Sequence, residues 1–312
     1  MSPPKIILIA GPTGSGKSAL ALELARRENG TIINADAMQI YAGLLILTNQ
    51  PDAEAQKEIP HALYAALDPT EKSSAGIWRK LAIAAIEETA TEGRTPILVG
   101  GTGLYFKALL GGLADIPEIP NEIRTQLQLR YDEIGEEKFR HELSKRDPES
   151  ASRIARNDRQ RLIRAYEVVA HTGKALGEWQ KKSEARGWRL ENSSSASSLK
   201  PLAPEFHLLL PPRDKLYAAC DTRFVSMIER GAVEEVRQFL KRNLEPALPV
   251  MKTIGLREIA SHLRGEMTLA QATAKAQQAT RNYAKRQMTW FRNQWKFNKS
   301  YPCLFDESMP TI

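Results

Sequence analysis

Cysteine is almost missing from this chain. Cys220 and Cys303 are the only two in 312 residues, and neither belongs to a C-x-x-C pair. That excludes a disulfide framework and a thiolate metal cage, so both thiols read as reduced. No apolar run approaches the roughly 18 residues a membrane-crossing helix needs. The N-terminus "MSPPKIILIAGPTG" passes straight into the fold without a cleavable signal pattern. A cytoplasmic protein is therefore expected. No internal repeat is visible, and nothing argues for an interface, so a monomer is the simplest expectation. Acidic residues are absent from 275–300, where Lys or Arg occupies positions 275, 281, 285, 286, 292, 296 and 299. Residues 150–190 hold ten Lys or Arg against four acids. The whole chain carries only +7. Charge concentrated in two windows points to a polyanionic partner rather than to general solubility.

What is present fits a globular α/β protein: 42% hydrophobic and 26% charged residues, and enough length for one large domain plus an insertion. Strand candidates are "KIILIA" (5–10), "TIINAD" (31–36) and "TPILVGG" (95–101), with helical stretches at 17–28 and about 75–92. Strands alternating with helices predict a doubly wound parallel sheet. From 120 to 190 the pattern is helical and charged. A Ser- and Pro-rich loop follows at 191–204, then another strand, "EFHLLLPPR" (205–213), then helices over 214–242 and from 255 onward. A strand returning after a helical stretch implies an insertion. The expected organisation is an α/β core of 1–117 and 200–312, with an all-helical domain inserted at 118–199.

The sharpest motif is "IAGPTGSGKSAL". Gly11, Pro12, Thr13, Gly14, Ser15, Gly16, Lys17 and Ser18 fit G-x-x-x-x-G-K-[ST] between a buried strand and a helix. That spacing wraps backbone N–H groups around an anionic oxygen cluster at a helix N-terminus. Lys17 adds a point charge and Ser18 a hydroxyl for Mg²⁺. ATP is the obvious first ligand. Asp36 closes the strand "TIINAD", where a general base or metal-associated carboxylate would face the phosphates; capping the next turn is the alternative. "TPILVGGTG" ends in glycines and Thr102, where an ATPase commonly has a Mg²⁺-holding acid. The glycines permit close approach of a substrate, or simply a tight turn. Arg153, Arg156, Arg159, Arg161 and Arg164 crowd one helical stretch and read either as a solvated face or as a binding face. In "TRNYAKRQMTWFRNQWKF", Arg281, Lys285, Arg292 and Lys296 share one helical face, with Tyr283 and Trp290 on the opposite one. A basic stripe with an aromatic back suits a helix packed on the core and lying along a phosphate backbone.

Seven segments in order, "GPTGSGKSALA", "INADAMQIY", "GGTGLYFKALLGGL", "NDRQRLIRAYEVVAHTGKAL", "LLLPPRDKLY", "IGLREI" and "TRNYAKRQMTWFR", resemble the tRNA dimethylallyltransferase family over nearly the whole chain. The resemblance implies a P-loop NTPase-like core. It also implies transfer of a dimethylallyl group from dimethylallyl diphosphate to N6 of the adenosine 3′ of the anticodon, with release of diphosphate. By that resemblance Gly11 to Ser18 bind the diphosphate with Mg²⁺ at Ser18. Lys17 and Arg223 stabilise developing charge, Arg223 being otherwise a helix-surface ion pair. Asp36 is the catalytic acid–base group. Asp36, Ala37, Met38 and Gln39 touch the nucleotide, with Thr102 and Arg124 nearby. Gln160, Arg161, Leu162, Ile163 and Arg164, together with Lys252 to Arg257, contact the tRNA, and the inserted region grips the anticodon stem-loop. Ala37, Gly14, Gln50, Ala62 and Ala219 depart from the usual family pattern. A small-molecule kinase using ATP and an NTP-gated nucleic-acid-binding switch remain alternatives; the first leaves both basic windows unexplained, the second leaves Asp36 and Thr102 unexplained.

Overall fold

The computed structural model describes residues 5–111, 113–114, 116–186, 204–294 and 299–301. In chain order the elements are β1 (Ile7–Ala10), α1 (Lys17–Arg27), β2 (Gly30–Asn34), α2 (Ala53–Glu58), β3 (His61–Ala62), α3 (Ala75–Thr91), β4 (Thr95–Gly100), α4 (Gly103–Gly111), α5 (Asn121–Ser144), α6 (Pro148–Arg153), α7 (Arg159–Thr172), α8 (Leu176–Arg186), β5 (Glu205–Leu209), α9 (Arg213–Glu229), α10 (Ala232–Leu240), α11 (Leu256–Leu263), α12 (Leu269–Gln294) and β6 (Lys299–Tyr301). A 3₁₀ turn at Pro249–Lys252 precedes α11.

The six strands form one sheet in the order β3-β2-β4-β1-β5-β6, and every pairing is parallel. β1, "ILIA", is buried at all four positions and lies between β4 and β5. Such unalternating apolar strands belong at the centre of a parallel sheet covered on both faces. α1 lays Leu20, Ala21, Leu24 and Ala25 on Ile7, Ile9, Ile97 and Val99. Each leucine so buried contributes about 1.5–3 kcal/mol before chain entropy is counted.

The register Ala10↔Gly100 and Asn34↔Val99 brings three strand ends side by side: β1 into the Gly11–Ser18 loop, β2 into Asp36, β4 into Thr102. Ligands gather at carboxyl ends of this kind in open α/β sheets. The glycines after β4 are demanded by protein rather than by a substrate. A Cβ on Gly100 would lie 2.0 Å from the Ala35 carbonyl oxygen, one on Gly101 2.2 Å from Gln287 Nε2, and one on Gly103 2.2 Å from the Trp290 ring.

Several boundaries differ from those expected. β1 starts at Ile7, β2 stops at Asn34 before Ala35 and Asp36, and β5 ends at Leu209 because Pro211 and Pro212 follow closely. The helices expected over 214–242 are two, parted by Gly231 at φ 101. The edge strands β3 and β6, two and three residues long, carry too little apolar pattern to be read from sequence. The buried line of α12 is Ala276, Thr280, Ala284, Gln287 and Phe291. It falls between the expected basic and aromatic faces, so Tyr283 and Trp290 are only half-buried.

The described chain divides into two compact units, 1–106 with 190–312, and Lys107–Arg189, so the first division lies within α4. The second unit is helical. Its core is Phe139, Leu143, Leu162, Ile163, Ala165 and Val169, with Tyr131 and Tyr166 set edge-on against Phe139. α5 changes direction at Gly135, whose φ of 75 favours glycine.

Candidate active site

The loop after β1 turns back on itself at Gly14 (φ 83) and Gly16 (φ 85). Gly14 stands where the resembled family usually has alanine, and here a Cβ would meet Cys220 Sγ at 2.9 Å. Two helices far along the chain pin the loop. The Thr13 N–H donates to Gln287 Oε1 (2.9 Å), and Gln287 Nε2 donates to the Gly101 carbonyl (2.8 Å), tying the phosphate-binding loop to the turn after β4. From α9, the Cys220 thiol donates to the Thr13 carbonyl (3.4 Å) and the Arg223 guanidinium donates to Thr13 Oγ1. Arg223 is thus no surface ion pair. Its Nε and the Ser15 hydroxyl are buried without a hydrogen-bond partner, which is costly unless an anion completes the set.

Asp36 is presented by its own neighbours. Its N–H donates to Asn34 Oδ1 (2.8 Å), and the Met38 N–H donates to Asp36 Oδ1 (3.0 Å). Asn34 Nδ2 donates to the carbonyls of Asp36 (3.1 Å) and Leu63 (3.0 Å), and Trp78 Nε1 donates to the Asn34 carbonyl (2.8 Å). The Thr102 hydroxyl accepts the Ala37 N–H at 3.0 Å. Thr102 therefore braces the Asp36 turn through Ala37, which lines the cavity.

That cavity, about 320 Å³, opens over the three strand ends. Thr13, Lys17, Ser18 and Arg223 give it a cationic end, Asp36 and Gln39 a polar wall, and Leu47, Phe224, Met227 and Ile254 an apolar wall. The Lys17 ammonium donates to the Pro12 carbonyl (3.2 Å). Enclosure in the cavity pushes it down to about 8, against the pull of the Asp36 carboxylate, while Arg223 pushes in the same downward direction. Burial lowers Arg223 too, and raises the Tyr283 hydroxyl, with the Asp36 field acting on both. Burial likewise pushes Tyr105 up to about 12.

The remaining expected residues separate. Met38, Gln39 and Lys252 reach the cavity, whereas Arg257 and Lys285 are exposed elsewhere on their helices. Arg281, expected along a phosphate backbone, is engaged by Asp221 at 2.6 Å. Leu162 and Ile163, expected at the tRNA, are 0% and 6% exposed because they form the apolar face of α7. Gln160 and Arg161 are exposed beside them, Arg161 against Asp158 at 3.4 Å. Arg124 and Arg164 both close on the buried carboxylate of Glu167, Arg124 at 2.8 Å. The basic window of this unit is extensively paired, with Arg153 on Glu149 and Arg159 on Asp132 as further examples. Lys296 and Cys303 lie outside the described residues. Sequence reasoning missed Tyr283 and Arg286, which both line the cavity, with the guanidinium 5.6 Å from the ring centre. Tyr283 was read as core-facing, and Arg286 was counted in the basic window but given no role of its own.

Comparison with known proteins shows the family. The family described as IPP transferase matches residues 39–294, and that described as isopentenyl transferase matches 4–61. The chain belongs to the IPP transferase family. A relative in that family, the tRNA dimethylallyltransferase of Rhodospirillum centenum, is 47% identical over 291 residues, covering 93% of this chain and 88% of its own. The tRNA isopentenylpyrophosphate transferase of Bacillus halodurans superposes with a TM-score of 0.66 at 32% identity, covering 97% of this chain and 91% of its own. A eukaryotic dimethylallyltransferase described as acting on tRNA gives 0.77 at 28% identity, covering 92% of this chain and 70% of its own. The core of this IPP transferase is a P-loop NTPase-like α/β fold.

As for a metal, no group of three His, Cys, Asp or Glu suited to one occurs among the described residues. Ser18 and Asp36 nevertheless both face the cavity. One hydroxyl and one carboxylate suit Mg²⁺ carried in on a diphosphate, because that ion keeps most of its ligands as water and phosphate oxygen.

Proposed function

We propose that this protein transfers a dimethylallyl group from dimethylallyl diphosphate to N6 of the adenosine 3′ of the anticodon in tRNA, releasing diphosphate. The observation that carries the reading is a single cavity holding a cationic phosphate end, an apolar wall and the Asp36 carboxylate. Lys17, Ser18 and Arg223 bind the diphosphate, and the prenyl chain lies on the apolar wall. The adenine amine attacks the allylic carbon, the carbon–oxygen bond breaks, and the electron pair leaves on the diphosphate. Asp36 accepts the amine proton, while Lys17 and Arg223 stabilise the charge gathering on the leaving oxygens. Ser18 would hold Mg²⁺ with the diphosphate, and the ion would supply further charge neutralisation there.

The adenine has to leave the anticodon-loop stack to enter such a cavity. Met38, Gln39, Lys252 and Arg286 are suited to meet it and its flanking phosphates. Gln160 and Arg161 would contribute from the helical unit, Arg161 by exchanging its exposed pair with Asp158 for a phosphate contact, while Arg124 and Arg164 would do so without leaving the buried Glu167 carboxylate. No helix among the described residues is long and apolar enough to cross a membrane; we place the protein in the cytoplasm, acting as a monomer. The turn after β4 carries no acid to hold a nucleotide's metal, which favours this reading over a kinase.

The test is incubation with labelled dimethylallyl diphosphate, Mg²⁺ and unmodified tRNA: label should move to tRNA, with no dependence on ATP. A pH profile adds a second expectation. The free enzyme binds diphosphate best with Lys17 charged, so kcat/KM for the prenyl donor should fall as pH rises through about 8. Lys17→Arg should remove that alkaline limb.

A further inference from the structure

The loop between Tyr41 and Gln50 has no regular secondary structure, yet its Leu47, Thr48 and Asn49 form one side of the cavity. Loops of this kind move unless their backbone groups are satisfied. Here the Thr48, Asn49 and Gln50 amides close on the loop's own Leu44, Ile46 and Leu45 carbonyls at 3.1, 3.0 and 2.9 Å, whereas the Ile46 and Leu47 amides are satisfied from outside. Glu235, in the first turn of α10, accepts the Ile46 N–H at 2.7 Å on one carboxylate oxygen and the Leu47 N–H at 2.8 Å on the other. The loop curls its successive amides around this anion as a nest. Gln39 holds the other end, Nε2 donating to the carbonyls of Thr48 and Asn49, both at 2.9 Å. Gln50, buried, donates to the Tyr41 carbonyl (2.9 Å) and Thr48 Oγ1 (3.0 Å). Farther along α10, the Phe239 ring lies where a Cβ on Gly43 would meet it at 3.2 Å.

We infer that Glu235 is a positioning residue of the transferase: its carboxylate fixes the 45–49 loop, and through Leu47 and Thr48 the wall against which the prenyl chain and adenine are aligned. The inference rests on the transferase reading. Glu235 does not face the cavity; it acts through the backbone it binds. Charge and geometry both matter. A carboxylate offers one acceptor oxygen to each of the two amides, whereas a carboxamide turns an N–H₂ toward an N–H. The phosphate-binding loop is held independently by Gln287, Cys220 and Arg223, so loosening the 45–49 loop leaves the diphosphate end intact.

Wild type, Glu235→Gln, Glu235→Ala and Glu235→Asp are compared for prenyl transfer to tRNA, binding of inorganic pyrophosphate and thermal unfolding. Transfer by wild type is the prior check: if it is absent, the transferase reading fails. Given transfer, Gln and Ala should lower kcat/KM between about tenfold and a hundredfold, the range expected of a small misplacement remote from the reacting atoms. Asp should recover part of the loss, and pyrophosphate affinity should stay at the wild-type value in all three. Folded Gln and Ala variants with wild-type kcat/KM overturn the inference. A parallel loss of pyrophosphate binding also overturns it, because it shows collapse of the whole site. If the variants do not fold, amide hydrogen exchange on wild type decides: Ile46 and Leu47 should be protected, and rapid exchange at both contradicts the inference.

Discussion

Asp36→Ala is expected to lower kcat for prenyl transfer by about 10² to 10⁴, the usual contribution of a positioned general acid–base group, with tRNA affinity nearly unchanged. The adenine amine is a weak nucleophile because its lone pair is delocalised into the ring, and among the described residues lining the cavity Asp36 carries the only carboxylate, the group proposed to take its proton as the new bond forms. The turn that presents Asp36 does not depend on its side chain alone. Asn34 holds the Asp36 N–H and carbonyl, and Thr102 accepts the Ala37 N–H. Removal of the carboxylate costs the Met38 bond at 3.0 Å, and the wall otherwise stands. Single-turnover transfer and tRNA binding, measured on the same preparation, check this. An equal fall in both would make Asp36 a structural cap.

Arg223→Ala should cost about 10² to 10³ in kcat, comparable to removing one preorganised donor from an oxyanion site. The guanidinium reaches the cavity from α9 and is bonded to Thr13, with its Nε buried and unpartnered among protein atoms. A group so enclosed has already been stripped of water, so its attraction for the departing diphosphate is strong when charge develops there. Arg223→Lys should recover only part of the loss, since an ammonium cannot hold both Thr13 and a phosphate oxygen with a planar fork. The measurement is kcat against KM for the prenyl donor. A rise in KM alone would mean that Arg223 binds ground state and transition state equally.

The phosphate-binding loop and Asp36 were legible in the sequence because each is local: a spacing of glycines with Lys17 and Ser18, or an acid closing an apolar strand. The central strands were legible for the same reason, being continuous apolar runs. What stayed hidden depends on contacts between distant segments. Gln287 binding both Thr13 and Gly101, Glu235 binding Ile46 and Leu47, and the Cβ-free approach of Gly100 to Ala35 have no signature within their own neighbourhoods. Tyr283 and Trp290 are half-buried rather than core because the buried line of α12 runs beside them through Gln287, a polar residue. The charge windows misled differently. Counting lysines and arginines does not reveal that Arg281, Arg124 and Arg164 are already held by Asp221 and Glu167.

The central claim, that an allylic carbon and not a phosphorus atom is attacked in this cavity, is tested most directly by identifying the bond formed. Unmodified tRNA is incubated with the protein, Mg²⁺ and dimethylallyl diphosphate, digested to nucleosides and analysed by mass spectrometry. The account predicts N6-dimethylallyladenosine from the position 3′ of the anticodon, with one diphosphate released for each group transferred. Unmodified adenosine, together with consumption of ATP and a phosphorylated acceptor when ATP is supplied, would contradict it.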